Sequence, residues 1–159
     1  MWFSDFHLQL INAFQRNGVE FLIIGGHAAI LYGSDRTTGD LDLLVKPTDV
    51  NGEKIIKSFE ELMLKIEDLK PADFVSQLVL TFGFEPDGVD IINYLKGLEI
   101  DVVFSHAAIF DFVNCDSVKV IDAKDLLIIK KSLGREGRKA LTDQLDILGI
   151  QKYLEIHKR

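Results

Sequence analysis

The chain has 159 residues, 47% of them hydrophobic and 27% charged, with a formal net charge of −7 and a single cysteine, Cys115. That length suits one domain, 1–159, able to bury a core without disulfide or metal staples, and the acidic balance argues against a nucleic-acid coat protein. No apolar run approaches the roughly 18 residues of a membrane span, and the first residues lack the basic region and apolar core of a signal peptide, which points to the cytoplasm.

In chain order, apolar residues at Phe6, Leu8, Leu10, Ile11 and Phe14 predict an amphipathic helix over 5–16, ended by Asn17-Gly18. Phe21-Leu22-Ile23-Ile24 is a continuous apolar run and reads as a buried strand stopped by Gly25-Gly26. His27 to Tyr32 reads as a short helix closed by Gly33, and Leu41 to Val45 as a second strand stopped by Pro47. Ile55 to Leu69 has helical spacing. Pro71 opens a further predicted helix running through Val79. Val89 to Leu95 reads as a strand, Ile100 to Phe104 as strand or helix, and Val118 to Ile121 as a short strand. Asp122 caps a helix from Ala123 to Leu133, with Asp125 placed for a capping box. A last helix takes Lys139 to Leu148. The predicted fold class is α/β (α+β): a small mixed sheet with helices mainly on one face, a core over about 20–121 and a C-terminal helix pair within 122–157.

The chemistry concentrates in Gly25 to Val45. Asp40 and Asp42 flank Leu41 at the front of an apolar strand, where alternate side chains share a face. Two like charges side by side repel, so a compensating cation is expected. Carboxylate oxygens suit magnesium, which takes one or two protein carboxylates plus phosphates and water, and a metal pair can clamp both oxygens of a phosphoryl displacement. Gly25 and Gly26, between a strand and a helix start, would let a polyphosphate approach the backbone and its N–H groups. Ser34, Arg36, Thr37 and Thr38 could add donors. A third carboxylate has two candidates in the pattern, Asp90 and Asp101. His27 is as readable as a phosphate contact as it is as a helix-start histidine, while His7, His106 and His157 show no metal-ligand spacing.

Charge is also uneven: residues 1–118 hold 8 Lys+Arg against 19 Asp+Glu, and residues 119–159 hold 10 against 6. Lys130, Lys131, Arg135, Arg138 and Lys139 read either as a solvated helix end or as a phosphate-contacting patch.

Taken together, Gly25-Gly26, Ala28, Gly33, then Arg36, Thr38, Asp40 and Asp42 resemble the polymerase-β-like nucleotidyltransferase superfamily, and within it the small prokaryotic AbiEii-toxin-like members. The likeness extends through Val89-Asp90-Ile91-Ile92, Gly97, Ile100, Asp125 to Lys130, Gly134-Arg135 and Asp143, over roughly 20–148. The spacing from Arg135 to Asp143 is longer than the family pattern. The resemblance implies that Asp40, Asp42 and Asp90 bind two Mg2+ or Mn2+ ions, with Asp90 the third carboxylate. It implies that Gly25 and Gly26 hold the triphosphate of the NTP and Lys130 contacts nucleotide phosphates, with Ser34, Arg36 and Thr38 beside them as candidate nucleotide contacts, and that a nucleoside monophosphate moves to an acceptor hydroxyl with release of pyrophosphate. It leaves the acceptor open between tRNA and protein, and implies an antitoxin or homo-oligomer partner. A nucleotide-binding module without catalysis is the competing expectation.

Overall fold

A computed structural model describes residues 2–66 and 68–158. Helix α1 (Asp5–Arg16) leads to strand β1 (Phe21–Ile24), helix α2 (Gly25–Leu31), strand β2 (Leu41–Val45) and helix α3 (Asp49–Glu61). After a 3-10 turn (Pro71–Phe74) come β3 (Val79–Phe82), β4 (Val89–Ile92), α4 (Ile100–Ser105), β5 (Ala108–Phe110), β6 (Val118–Val120), α5 (Ala123–Ser132) and α6 (Arg138–Ile156). The strands form one mixed sheet in the order β3-β4-β2-β1-β6-β5. This is the expected fold class, with α5 and α6 as its C-terminal helix pair.

The two central strands are apolar because both of their faces are covered: every residue of β1 is buried, and Leu41, Leu43, Leu44 and Val45 of β2 are fully so. The edges behave differently. In β3 exposed and half-buried residues alternate, and in β5 only Ile109 stands fully open. Neither edge was expected as a strand. The sequence reading extended a helix from Pro71 through Val79; the structure stops it at Phe74 and pairs Val79–Phe82 with β4 instead. The turn back is held by Asn93, whose side chain bonds Leu78 N at 2.7 Å, Phe74 O at 2.9 Å and Ser76 O at 2.7 Å. Those bonds also end β4 at Ile92, short of the expected Leu95.

Helix α3 lies about one and a half turns earlier than the apolar spacing over 55–69 implied. It starts at Thr48, whose hydroxyl accepts from Asn51 N at 3.1 Å, and ends with Leu62 as C-cap. Its first turns bury Asn51 and Gly52, which carry no apolar signal, and a Cβ on Gly52 would meet Phe74 Cδ2 at 2.6 Å. Ile100 to Phe104 is helical. Asp122 caps α5 by accepting from Lys124 N at 3.0 Å, but Asp125 bonds His106 Nδ1 at 3.0 Å rather than completing a capping box. Helix α6 continues through Gly149 to Ile156, and the missing Cβ of that glycine lets the helix approach the Ser34 backbone, which a Cβ would meet at 2.7 Å.

Candidate active site

Sheet register assembles the acids. Antiparallel pairing of β1 with β2 sets Ile24 opposite Asp42, and parallel pairing of β2 with β4 sets Asp42 opposite Asp90. The chain leaves β1 through Gly25, which takes a φ of +66°, a conformation glycine adopts without a steric penalty. A Cβ on Gly25 would run into the Asp42 carboxylate, and one on Gly26 would lie 2.7 Å from Thr38 Oγ1 and 2.8 Å from Arg36 Nη2. The glycine pair therefore makes room first for the protein's own side chains. Gly88, before β4, does the same for Asp40, whose carboxylate occupies the space a Cβ would need.

An open, polar cleft of about 670 Å3 is bordered by Gly26, Arg36, Thr37, Thr38, all three of Asp40, Asp42 and Asp90, and by Lys130, Arg135 and Lys139. Asp101, the rival third carboxylate, is elsewhere: it sits on α4, exposed, 3.9 Å from Lys46 Nζ. Asp90 is steadied by Thr81 of β3, whose hydroxyl donates to Asp90 Oδ1 at 2.7 Å. Burial, reinforced by the charge and hydrogen bond of Asp90, pushes Asp42 up to about 7 despite the opposing pull of Lys130. Desolvation and a neighbouring like charge both disfavour the ionised form of a carboxyl.

Behind the cleft lies a network that sequence reasoning did not identify as such. Asp146 of α6, with its side chain fully buried, accepts from Ser34 Oγ at 2.6 Å, Arg36 Nε at 2.7 Å and Arg36 Nη2 at 3.0 Å, and pairs with Lys130 Nζ at 2.9 Å. Burial alone would raise this carboxyl; the bonds from Arg36, Ser34 and Lys130 outweigh it and hold Asp146 below the usual range. Asp143 takes Arg135 in a two-pronged pair and lies 3.6 Å from Lys130 Nζ. Ser34, expected at the nucleotide, is buried against Asp146 and does not border the cleft. Lys130 is also buried, anchored between Asp143 and Asp146. Of the C-terminal cations, Lys130, Arg135 and Lys139 border the cleft and Lys131 and Arg138 do not. Asp146 left no signal in the sequence beyond a helix acid spaced three residues from Asp143.

The histidines resolve cleanly. His27 is buried in a nest of Trp2, Phe3 and His7, with ring centroids 5.0, 5.3 and 5.7 Å away, so it makes no phosphate contact. Burial and the neighbouring His7 push it down to about 4, leaving it neutral. His7 accepts from Ser4 N at Nδ1, which leaves its Nε2 hydrogen to donate to Gly88 O at 2.9 Å and brace the turn before β4.

The donors around Asp42 are hard oxygens, and their mutual repulsion is what a divalent cation relieves. Among the described residues no three His, Cys, Asp or Glu side chains form a ready-made metal cage. Paired carboxylates are the donor type that magnesium takes, with water and phosphate completing its coordination. Among the described residues no helix is long and apolar enough to cross a membrane.

No protein-family model matches the chain, so the AbiEii-like subgroup has no family match behind it, and no curated protein matches either. A solved structure does: the lincosamide antibiotic adenylyltransferase LnuA, determined with lincomycin bound, superposes with a TM-score of 0.57 at 13% identity, covering 96% of this chain and 99% of that one. At that identity the likeness is one of fold. Over nearly its whole length, this chain has the fold of a nucleotidyltransferase.

Proposed function

We propose that this protein is a magnesium-dependent nucleotidyltransferase that moves a nucleoside monophosphate from an NTP to an acceptor hydroxyl, releasing pyrophosphate. The observation that carries the reading is the pairing of Asp42 with Asp90 across parallel strands at the edge of a polar cleft bordered by Gly26, Thr38 and Arg36. The fold of an adenylyltransferase supports the reaction class and makes ATP the first donor to try.

In this reading Gly26, Thr38, Arg36 and Lys139 receive the triphosphate. Asp40, Asp42 and Asp90 hold magnesium, which when bound would neutralise phosphate charge. Asp90, fixed by Thr81, orients the acceptor hydroxyl and takes its proton. The hydroxyl oxygen forms the new bond to the α-phosphorus, and the α–β bridging bond breaks with its electrons leaving on pyrophosphate. Most of the work is positioning and electrostatic stabilisation, as phosphoryl-type transfers require. Lys130 and Arg135, tied to Asp143 and Asp146, supply fixed positive charge beside the acids and do not need to move.

The test is label transfer from the four α-labelled NTPs, with magnesium or manganese, using wild type and Asp42→Asn. Metal-dependent labelling of an acceptor by wild type alone is expected. Nucleotide binding without labelling of any small molecule, tRNA or polypeptide would replace this reading with a non-catalytic nucleotide-binding module.

A further inference from the structure

The polar cleft is not the whole of the space around Asp42 and Asp90. A second compartment, of about 380 Å3, adjoins the same acids and shares Asp42, Asp90, Lys130 and Arg135 with the cleft. Its remaining walls are of a different chemistry. Val79, Ile92 and Leu95 line one side and Leu126, Ile129 and Leu133 of the α5 region the other. Thr81, the residue that steadies Asp90, also borders it.

Resting on the transfer reading above, we propose that this compartment is the acceptor site and that the acceptor is a small, largely apolar molecule bearing a hydroxyl. Four observations converge. Its volume falls at the low end of small-molecule pockets, roughly 300–1,000 Å3, which are mostly apolar with a few convergent polar groups. Its polar side chains are the four it shares with the cleft and Thr81, which bonds Asp90, so an apolar body in the pocket presents its hydroxyl to Asp90. Its cations, Lys130 and Arg135, are already paired with Asp143 and Asp146. A nucleic-acid acceptor draws its affinity from cations facing a phosphate backbone, and this wall offers aliphatic side chains instead. Val79 on the edge strand is 52% exposed and Leu133 is 39% exposed, apolar surface that an occupant would cover. The balance of the step is that of the transfer: the acceptor oxygen bonds to the α-phosphorus, its proton passes through Asp90 to water, and pyrophosphate leaves.

The experiment uses the whole chain with n-hexyl β-glucoside and 2-naphthol as probes, read by ligand-observed saturation-transfer NMR with and without ATP and magnesium. Nucleotide binding is followed separately with a fluorescent ATP analogue. Val79→Trp and Leu133→Trp fill the compartment from part-exposed positions, so neither has to displace the core. The expected result is probe binding by wild type that falls at least about tenfold in both variants, while both still bind the nucleotide analogue. Probe binding equal in wild type and variants overturns the inference, as does its absence from wild type. Label from α-labelled ATP arriving on bulk tRNA or polypeptide in place of a small molecule overturns it too, while leaving nucleotidyl transfer standing. Failure of wild type to bind the analogue at all overturns the transfer reading and this inference with it.

Discussion

Two pairs of aspartates lie on either side of Lys130, and their surroundings are opposite. Asp143 and Asp146, on one helix, are saturated by Arg135, Arg36, Ser34 and Lys130, and Asp146 is held below the usual carboxylate range. Asp42 and Asp90, on neighbouring strands, face each other, and no Lys or Arg ion pair reaches either among the described residues. Burial first, and then the charge of Asp90, raises Asp42. The same residue type thus serves two purposes. One pair of acids ties α6 to the rest of the fold, whereas the other has no cationic partner among the described residues and, under the transfer reading proposed above, is left for magnesium.

The contrast is broken most directly at Asp146. Asp146→Ala leaves Arg36 and Lys130 without their buried partner and is expected to cost about 3–5 kcal/mol in urea unfolding. A cost within about 0.5 kcal/mol, the range of an ordinary surface change, would show that the network is not structural. Gly25→Ala comes next. The φ of +66° imposes roughly 1–3 kcal/mol of strain on a non-glycine residue, and the added methyl displaces Asp42, so label transfer should fall to background even where the protein remains folded.

Asp42→Asn should have the opposite sign on stability. The folded-state pKa of Asp42, near 7, lies above its ordinary 3.8, so the native state binds more protons in that window and loses stability as pH rises through it. Metal-free Asp42→Asn is therefore expected to melt higher than wild type at pH 8, with the gain vanishing toward pH 4, while transfer is abolished. Added Mg2+ should raise the melting temperature of wild type more than that of the variant at pH 8; equal shifts would remove Asp42 from the metal site. The smallest effect is expected at Thr81→Val, which deletes one hydrogen bond to Asp90. A loss of about 0.5–1.5 kcal/mol should lower turnover up to about tenfold without changing nucleotide affinity.

The stretch from Gly25 to Val45 was legible because its signals are local. A glycine in the left-handed region, an apolar strand and acids two residues apart are all set within 21 residues. Asp90 could not be separated from Asp101 by pattern, since each lies in an apolar setting; parallel pairing with β2 places Asp90 beside Asp42 and leaves Asp101 on an exposed helix. Ser34 was misread as a nucleotide contact and Asp146 was missed for one reason. Whether a polar side chain faces a cleft or a buried ion depends on the helix packed behind it, here α6, more than 100 residues away.

By itself, then, the sequence determined the buried central strands, most of the helices and the block that joins the Gly25-Gly26 turn to Asp40 and Asp42, because periodicity and turn stereochemistry act over neighbouring residues. Tertiary structure alone decided which carboxylates meet, which cations are already neutralised and where the sheet ends in the alternating, half-exposed strands β3 and β5. It also set an aliphatic cavity beside the polar one, because walls drawn from β3, β4 and α5 become a single surface only once the sheet has closed against the C-terminal helices.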